Sequence, residues 1–257
     1  MSFLEITQVT KSFGGIVAVR DVDLSIGKGE ILGLIGPNGA GKTTLFNLVT
    51  GIYRPTVGEI SYRGRSLSRL KPHEITRLGM ARTFQNIRLF GEMSALENVM
   101  IGRHCRTTAG AWGSVFRFPW VFREEKASLE LSLELLDFVG LHVDPDERAA
   151  NLSYGQQRQL EIARALATEP DLLLLDEPAA GMNPQETKEL ISLIGRVRDT
   201  GRTILLIEHD MKVVMGTADR VAVLEYGIKI ADGTPSEIRR NEKVIKAYLG
   251  DDSDFSA

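Results

Sequence analysis

The sequence predicts an α/β protein with a parallel sheet and a phosphate-binding site along one edge of it. Three stretches carry this reading. Gly36-Pro37-Asn38-Gly39-Ala40-Gly41-Lys42-Thr43-Thr44 satisfies G-x-x-x-x-G-K-[ST]. It lies between an apolar run, Glu30 to Ile35, and the helically spaced Leu45, Leu48 and Val49, the strand–loop–helix context that gives such a pattern meaning. Leu172-Leu173-Leu174-Leu175 runs into Asp176-Glu177-Pro178, and Thr203-Ile204-Leu205-Leu206-Ile207 runs into Glu208-His209-Asp210. Short apolar strands that end on ionisable groups place those groups where ligands sit in a parallel sheet.

The first element is a β-rich stretch over residues 3–30. Ile6 and Val9 mark one strand, and Val22, Leu24 and Ile26 alternate as a half-buried strand does. Phe13 falls on the turn Lys11-Ser12-Phe13-Gly14-Gly15. Such an aromatic either caps the core or stacks on adenine, and the residues alone favour the cap. In the glycine loop, successive N–H groups point inward and the next helix adds its positive end. Lys42 then reaches the β- and γ-phosphates, and the Thr43 hydroxyl holds Mg²⁺. The helix from Lys42 ends near Gly51, and Ile60 and Tyr62 alternate in a further β segment.

Residues 72–79 read as a short helix and Ala81 to Gln85 as a strand. Gln85 is either an ordinary loop glutamine or the residue that senses Mg²⁺ and the attacking water. Residues 103–123 interleave Arg103, His104, Arg106, Arg117 and Arg123 with Trp112, Phe116, Phe118, Trp120 and Phe122. That pattern suits single-stranded nucleic acid or a docked partner. The net charge of -3 gives no support to nucleic acid, so docking or local packing is the expectation. Leu129, Leu133, Leu136 and Val139 predict a helix over residues 124–139, closed by Gly140. A second helix follows Leu152-Ser153-Tyr154-Gly155-Gln156, where Ser153 taken alone is an N-cap. Near the end, Val221 to Leu224 and Ile228 to Ile230 form a hairpin around Tyr226-Gly227, residues 236–249 a closing helix, and residues 251–254 an acidic tail.

Composition narrows the class further. The 257 residues are 43% hydrophobic and 25% charged, ordinary values for a soluble globular chain. A single cysteine, Cys105, excludes an internal disulfide and fits a reducing compartment. No apolar run reaches the roughly 20 residues of a membrane span, and the start of the chain does not read as a signal peptide. The expectation is a cytoplasmic protein whose membrane role, if it has one, is peripheral.

Together these motifs resemble the ATP-binding subunit of ABC transporters. Gly36–Thr44 is similar to its P-loop, Gln85 to its Q-loop glutamine, and Leu152-Ser153-Tyr154-Gly155-Gln156 to its signature. Asp176 and Glu177 match the Walker B aspartate and the catalytic glutamate, Ala179 to Asn183 the D-loop, and His209 the switch histidine. The stretches Arg82 to Phe90, Glu97-Asn98-Val99, Ala179 to Pro184, Ile207 to Met211 and Ala247 to Gly250 resemble the LivG-type subunit of bacterial branched-chain amino acid importers. Two positions depart from many ABC members: Tyr154 replaces a glycine and Asn183 an aspartate.

The resemblance implies a P-loop NTPase with a RecA-like core, an N-terminal antiparallel β subdomain and an inserted helical subdomain near residues 96–160, all within one domain over 1–250. It implies that ATP is bound by Phe13, by Gly36, Pro37, Asn38, Gly39, Ala40, Gly41, Lys42, Thr43 and Thr44, and, from a facing subunit, by Ser153, Gly155 and Gln156. Mg²⁺ would be held by Thr43, Gln85 and Asp176, and hydrolysis carried by Glu177, His209 and Gln85. The implied partners are a second ATP-binding subunit (a paralogue or a copy) joined head to tail, two permease subunits and, indirectly, an extracytoplasmic binding protein. The place would be the cytoplasmic face of a bacterial membrane. Related systems for urea, amides or lipopolysaccharide, and non-transport ABC ATPases, stand as alternatives.

Overall fold

The computed structural model describes residues 2–106 and 119–249. The centre of the basic-aromatic stretch, Gly250 and the acidic tail of residues 251–257 lie outside the described residues. The chain divides into two units, one of residues 1–75 with 174–257 and one of residues 76–173.

The first unit holds two sheets. β1 (Leu4–Phe13) pairs antiparallel with β2 (Ile16–Ile26) on one side and with β4 (Val57–Tyr62) on the other, and β5 (Arg65–Ser66) extends that edge. Leu4 faces Ile26 and Tyr62, and Ile6 faces Leu24 and Ile60. The buried positions Leu4, Ile6 and Val9 break strict alternation. The register shifts between Ile6 and Val9, where Gln8 has a φ of 48°, so an extra residue is absorbed as a bulge. Phe13, expected on a turn, is instead the last residue of β1, opposite Ile16.

The second sheet contains β3 (Ile31–Ile35), β7 (Leu172–Asp176), β8 (Thr203–Ile207), β9 (Arg220–Glu225) and β10 (Ile228–Gly233), in the order β10-β9-β3-β8-β7. β3 runs parallel to both neighbours, with Leu34 opposite Ile207 and Ala222. Every residue of β3, β7 and β8 is buried, which is why these strands read as unbroken apolar runs rather than alternating ones. β9 and β10 form the expected hairpin, and both turn residues have positive φ, Tyr226 at 46° and Gly227 at 81°, the backbone twist that a tight hairpin needs.

The helices of this unit are α1 (Lys42–Val49), α6 (Pro184–Asp199), α7 (Met211–Thr217), α8 (Pro235–Arg239) and α9 (Glu242–Leu249). The single closing helix expected over residues 236–249 is two. Asn241 interrupts it, its side chain accepting from the amides of Lys243 and Val244 at 3.0 and 3.4 Å and so restarting the helix.

α2 (Pro72–Arg77) leads into the second unit, which holds β6 (Met80–Arg82), α3 (Ala95–Arg103), α4 (Pro119–Phe138) and α5 (Tyr154–Leu166). α3 packs on α4 and α5 around buried Val99, Leu136, Val139, Leu160, Ala163 and Leu166. α4 is already helical before the predicted residue 124, its described residues running from Pro119. The strand expected over Ala81 to Gln85 stops at Arg82. Its continuation is diverted because side chains of α5 take the backbone groups of Phe84 and Gln85.

Candidate nucleotide site

In the first unit, the loop between β3 and α1 has the geometry that its glycines allow. Gly36 has a φ of 150°, and a Cβ there would lie 2.1 Å from the Leu224 carbonyl oxygen; one on Gly41, φ 95°, would lie 2.5 Å from that of Ala18. Side chains at either position would force the loop off β9 and β2. Gly41 also caps α1 in the left-handed conformation with no side-chain hydrogen bond, so the helix start offers its amides to a ligand. The Lys42 ammonium is buried and donates to the carbonyls of Gly36 and Pro37 at 2.6 and 3.0 Å. Burial pushes its pKa down, while the carboxylates of Glu177 and then Asp176 push it back up. The loop lysine and the two acids at the end of β7 therefore share one electrostatic environment.

Asp176 is buried at the end of its strand. Glu177 follows with a φ of 46° and donates its amide to the Ile207 carbonyl of β8 at 2.9 Å. A glutamate held in the left-handed region is strained, and strain of this kind gathers at functional sites. The His209 Nδ1 atom lies 3.5 Å from Glu177 Oε2, so the two strand ends meet, as their common place at the sheet edge implied. Thr43 is exposed at the first turn of α1. Among the described residues no cluster of three or more His, Cys, Asp or Glu side chains could cage a metal. Thr43 and Asp176 carry oxygen donors of the kind Mg²⁺ takes, one or two at a time beside phosphate and water.

Phe13 is exposed, and its ring meets Tyr53 edge-on, centroids 5.1 Å apart at 75°. The Lys11 ammonium lies 4.9 Å from the Phe13 centroid and 5.9 Å from that of Tyr53. Tyr53 is tied by its amide to the Asn47 carbonyl of α1 at 2.9 Å. No spacing in the sequence pointed to Tyr53.

The second unit gathers Gln85, Ser153, Gly155 and Gln156. Ser153 caps α5 in a reciprocal box: its Oγ accepts from the Gln156 amide at 3.4 Å, and Gln156 Oε1 from the Ser153 amide at 2.9 Å. The N-cap reading of Ser153 is therefore correct within one chain, and its hydroxyl remains at an exposed helix N-terminus. One turn further along, Arg158 is completely buried and donates to the carbonyls of Phe84 at 2.7 Å and Gln85 at 2.9 Å. It also pairs with Glu161 at 2.6 Å, and Glu161 accepts the Phe84 amide at 3.1 Å. Burial pushes the Glu161 carboxyl up; Arg158 and the Phe84 amide pull it down. An arginine and a glutamate three residues apart inside an apolar helical pattern are the signal by which this pair could be read from sequence.

A pocket of about 280 Å³ opens in the same unit, lined among others by Arg82, Phe84, Phe90, Ile101, Glu161 and Arg164. No described helix is long and apolar enough to cross a membrane.

Residues 19–180 match the family model described as ABC transporter. The chain belongs to the ABC transporter family. Residues 229–254 also match a model described as branched-chain amino acid ATP-binding cassette transporter. The chain is 48% identical to the high-affinity branched-chain amino acid transport ATP-binding protein LivG of Salmonella typhimurium, over 96% of this chain and 98% of that one. It is 47% identical to the corresponding BraF protein of Pseudomonas aeruginosa, over the same shares. Its fold is similar to the ADP conformation of MJ1267, an ATP-binding cassette of an ABC transporter, with a TM-score of 0.85 and 32% identity, covering 98% of this chain and all of that one. It is also similar to the dimeric post-hydrolysis cassette MJ0796 bound to ADP and phosphate, with a TM-score of 0.77 and 26% identity over 90% and 98% of the two chains. The chain is thus an ATP-binding cassette of the ABC family, an ATPase subunit that powers transport.

Proposed function

We propose that this cassette drives an importer of branched-chain amino acids from the cytoplasmic face of a bacterial membrane. The observation that carries the substrate is the likeness to LivG and BraF along almost the whole chain, joined by the match of residues 229–254. ATP binds with its adenine on Phe13 and its phosphates in the loop Gly36 to Thr44, where Lys42 and the amides at the start of α1 offset their charge. Thr43, Gln85 and Asp176 would hold Mg²⁺, directly or through water, and the bound ion would supply positive charge against that which builds on the phosphate. Glu177 polarises the attacking water, and His209, beside it, contacts the γ-phosphate. In phosphoryl transfer, positioning and charge stabilisation supply most of the catalysis, and the strained Glu177 next to His209 supports that division of labour.

Ser153, Gly155 and Gln156 act on the ATP of a facing subunit in a head-to-tail dimer, supported by the likeness to a dimeric cassette. Two permease subunits receive the motion, and the pocket beside Phe90 and Ile101 is a seat for one of them: exposed apolar walls flanked by arginines suit a short amphipathic helix. A binding protein outside the membrane delivers the substrate.

The test is reconstitution in proteoliposomes with the permease and cassette subunits that co-purify with this chain. Leucine-loaded binding protein is expected to stimulate ATP hydrolysis severalfold. Stimulation by urea or a short amide, or by none of these, would reject the amino acid assignment while leaving the ATPase intact.

A further inference from the structure

Glu208 is buried to 0% exposure at the end of β8, one residue before His209. Its Oε1 accepts the amide of Ala179 at 2.7 Å, from the loop that follows Glu177. Its Oε2 accepts the amides of His209 at 3.2 Å and Asp210 at 3.5 Å and lies 3.9 Å from His209 Nδ1. One carboxylate thus grips both the loop leaving β7 and the turn leaving β8. Burial pushes its acidity down, and the three amides counter that by favouring the ionised form.

We propose that Glu208 is a positioning residue for hydrolysis, fixing the His209 turn to the Glu177 loop so that the two groups keep a set separation. It rests on the roles proposed for Glu177 and His209. The residue type follows from the geometry. Each oxygen serves a different strand end, so both must accept. A glutamine of the same shape offers one oxygen and one NH₂, and the NH₂ would face a backbone N–H on one side or the other. One of the two grips would then open. Residues 179–183 leave the same loop and end on Asn183, which caps α6 by accepting from the amides of Gln185 and Glu186 at 2.9 and 3.0 Å. The loop is therefore anchored at its start by Glu208 and at its end by a helix cap, and a displacement at one end is passed to the other. A purely structural buried acid would cap the helix next to it, but α7 has its own cap, Asp210, which accepts the Lys212 amide at 2.7 Å.

Glu208→Gln is expected to lower kcat for ATP hydrolysis by roughly one to two orders of magnitude, the scale of a displacement of about 1 Å. Its ATP affinity should stay close to that of the unaltered chain, while the melting temperature falls by several degrees because one buried amide loses its acceptor. Unchanged kcat, or a loss of affinity in step with kcat, overturns the proposal. Hydrogen exchange on the unaltered, nucleotide-free chain tests the same contact without a variant: the Ala179 amide is expected to exchange as slowly as the amides of β8, and fast exchange there also overturns it. Glu177→Gln and His209→Ala measured alongside separate the two levels. If both retain full turnover, the underlying catalytic reading has failed. If both lose it and Glu208→Gln alone does not, only the positioning role has.

Discussion

At the scale of single residues, the acid proposed for hydrolysis is also one of the least comfortable among the described residues. Glu177 is one of six non-glycine residues with positive φ among those described, and it sits 3.5 Å from the only histidine at the sheet edge that the strand ends share. Its amide donates to the Ile207 carbonyl of β8, which anchors its backbone independently of the carboxylate. Replacing the carboxylate by an amide keeps this backbone anchor and removes the proposed base. Glu177→Gln is therefore expected to bind ATP with near-normal affinity and to lose about 10²- to 10⁴-fold in turnover, the range that a general base contributes. Nucleotide titration alongside phosphate release checks this, and near-normal hydrolysis would contradict the role. The residue type and its place after four leucines were plain in the sequence. The left-handed backbone was not, because only glycine and asparagine advertise that conformation in advance.

At the scale of elements, what could be read from sequence depended on whether an element is defined by its own pattern or by its neighbours. β3, β7 and β8 are buried throughout, so composition alone marks them. β6 ends early for a reason seated on α5: Arg158 and Glu161 claim the backbone of Phe84 and Gln85, and nothing within residues 81–85 announces it. The same applies to the break before α9, where a single asparagine side chain recaps the chain. The Arg158–Glu161 pair holds the signature helix against the segment that carries Gln85. Both side chains are almost wholly shielded from water, so removing one partner strands the other. Arg158→Ala is expected to cost about 3–5 kcal/mol of stability, measured by denaturant unfolding. The double change Arg158→Met with Glu161→Met should recover much of that loss, because an apolar pair of similar volume is tolerated at such sites. The amide of Phe84 should nonetheless exchange faster in the double variant, since its acceptor is gone. A double variant as unstable as Arg158→Ala would mean that the pair's hydrogen bonds to the backbone, not the stranded charge, dominate.

At the scale of the whole molecule, the proposed function gives the loop Gly36 to Thr44 and the signature around Ser153 complementary halves of the nucleotide chemistry. The family was legible because both halves, with Asp176, Glu177 and His209, appear in order along the chain. Their partnership entered only through the family resemblance, since it concerns surfaces that two chains bring together. In a head-to-tail dimer each ATP lies between the loop of one subunit and the signature of the other. A subunit with Ser153→Arg spoils the site of its partner, and one with Lys42→Ala spoils its own. Each variant alone is expected to be inactive, with Ser153→Arg still binding ATP. Mixed, they can form a dimer in which the loop of the Ser153→Arg chain faces the unaltered signature of the Lys42→Ala chain, one complete site out of two. If this chain pairs with copies of itself, mixing therefore restores a measurable part of the hydrolysis. If it pairs with a paralogue, mixing restores nothing, and the Lys42→Ala chain rescues only the site whose loop the paralogue supplies. Hydrolysis by the Ser153→Arg chain alone at the unaltered rate would count against a shared site, and by the Lys42→Ala chain against the phosphate role of the loop.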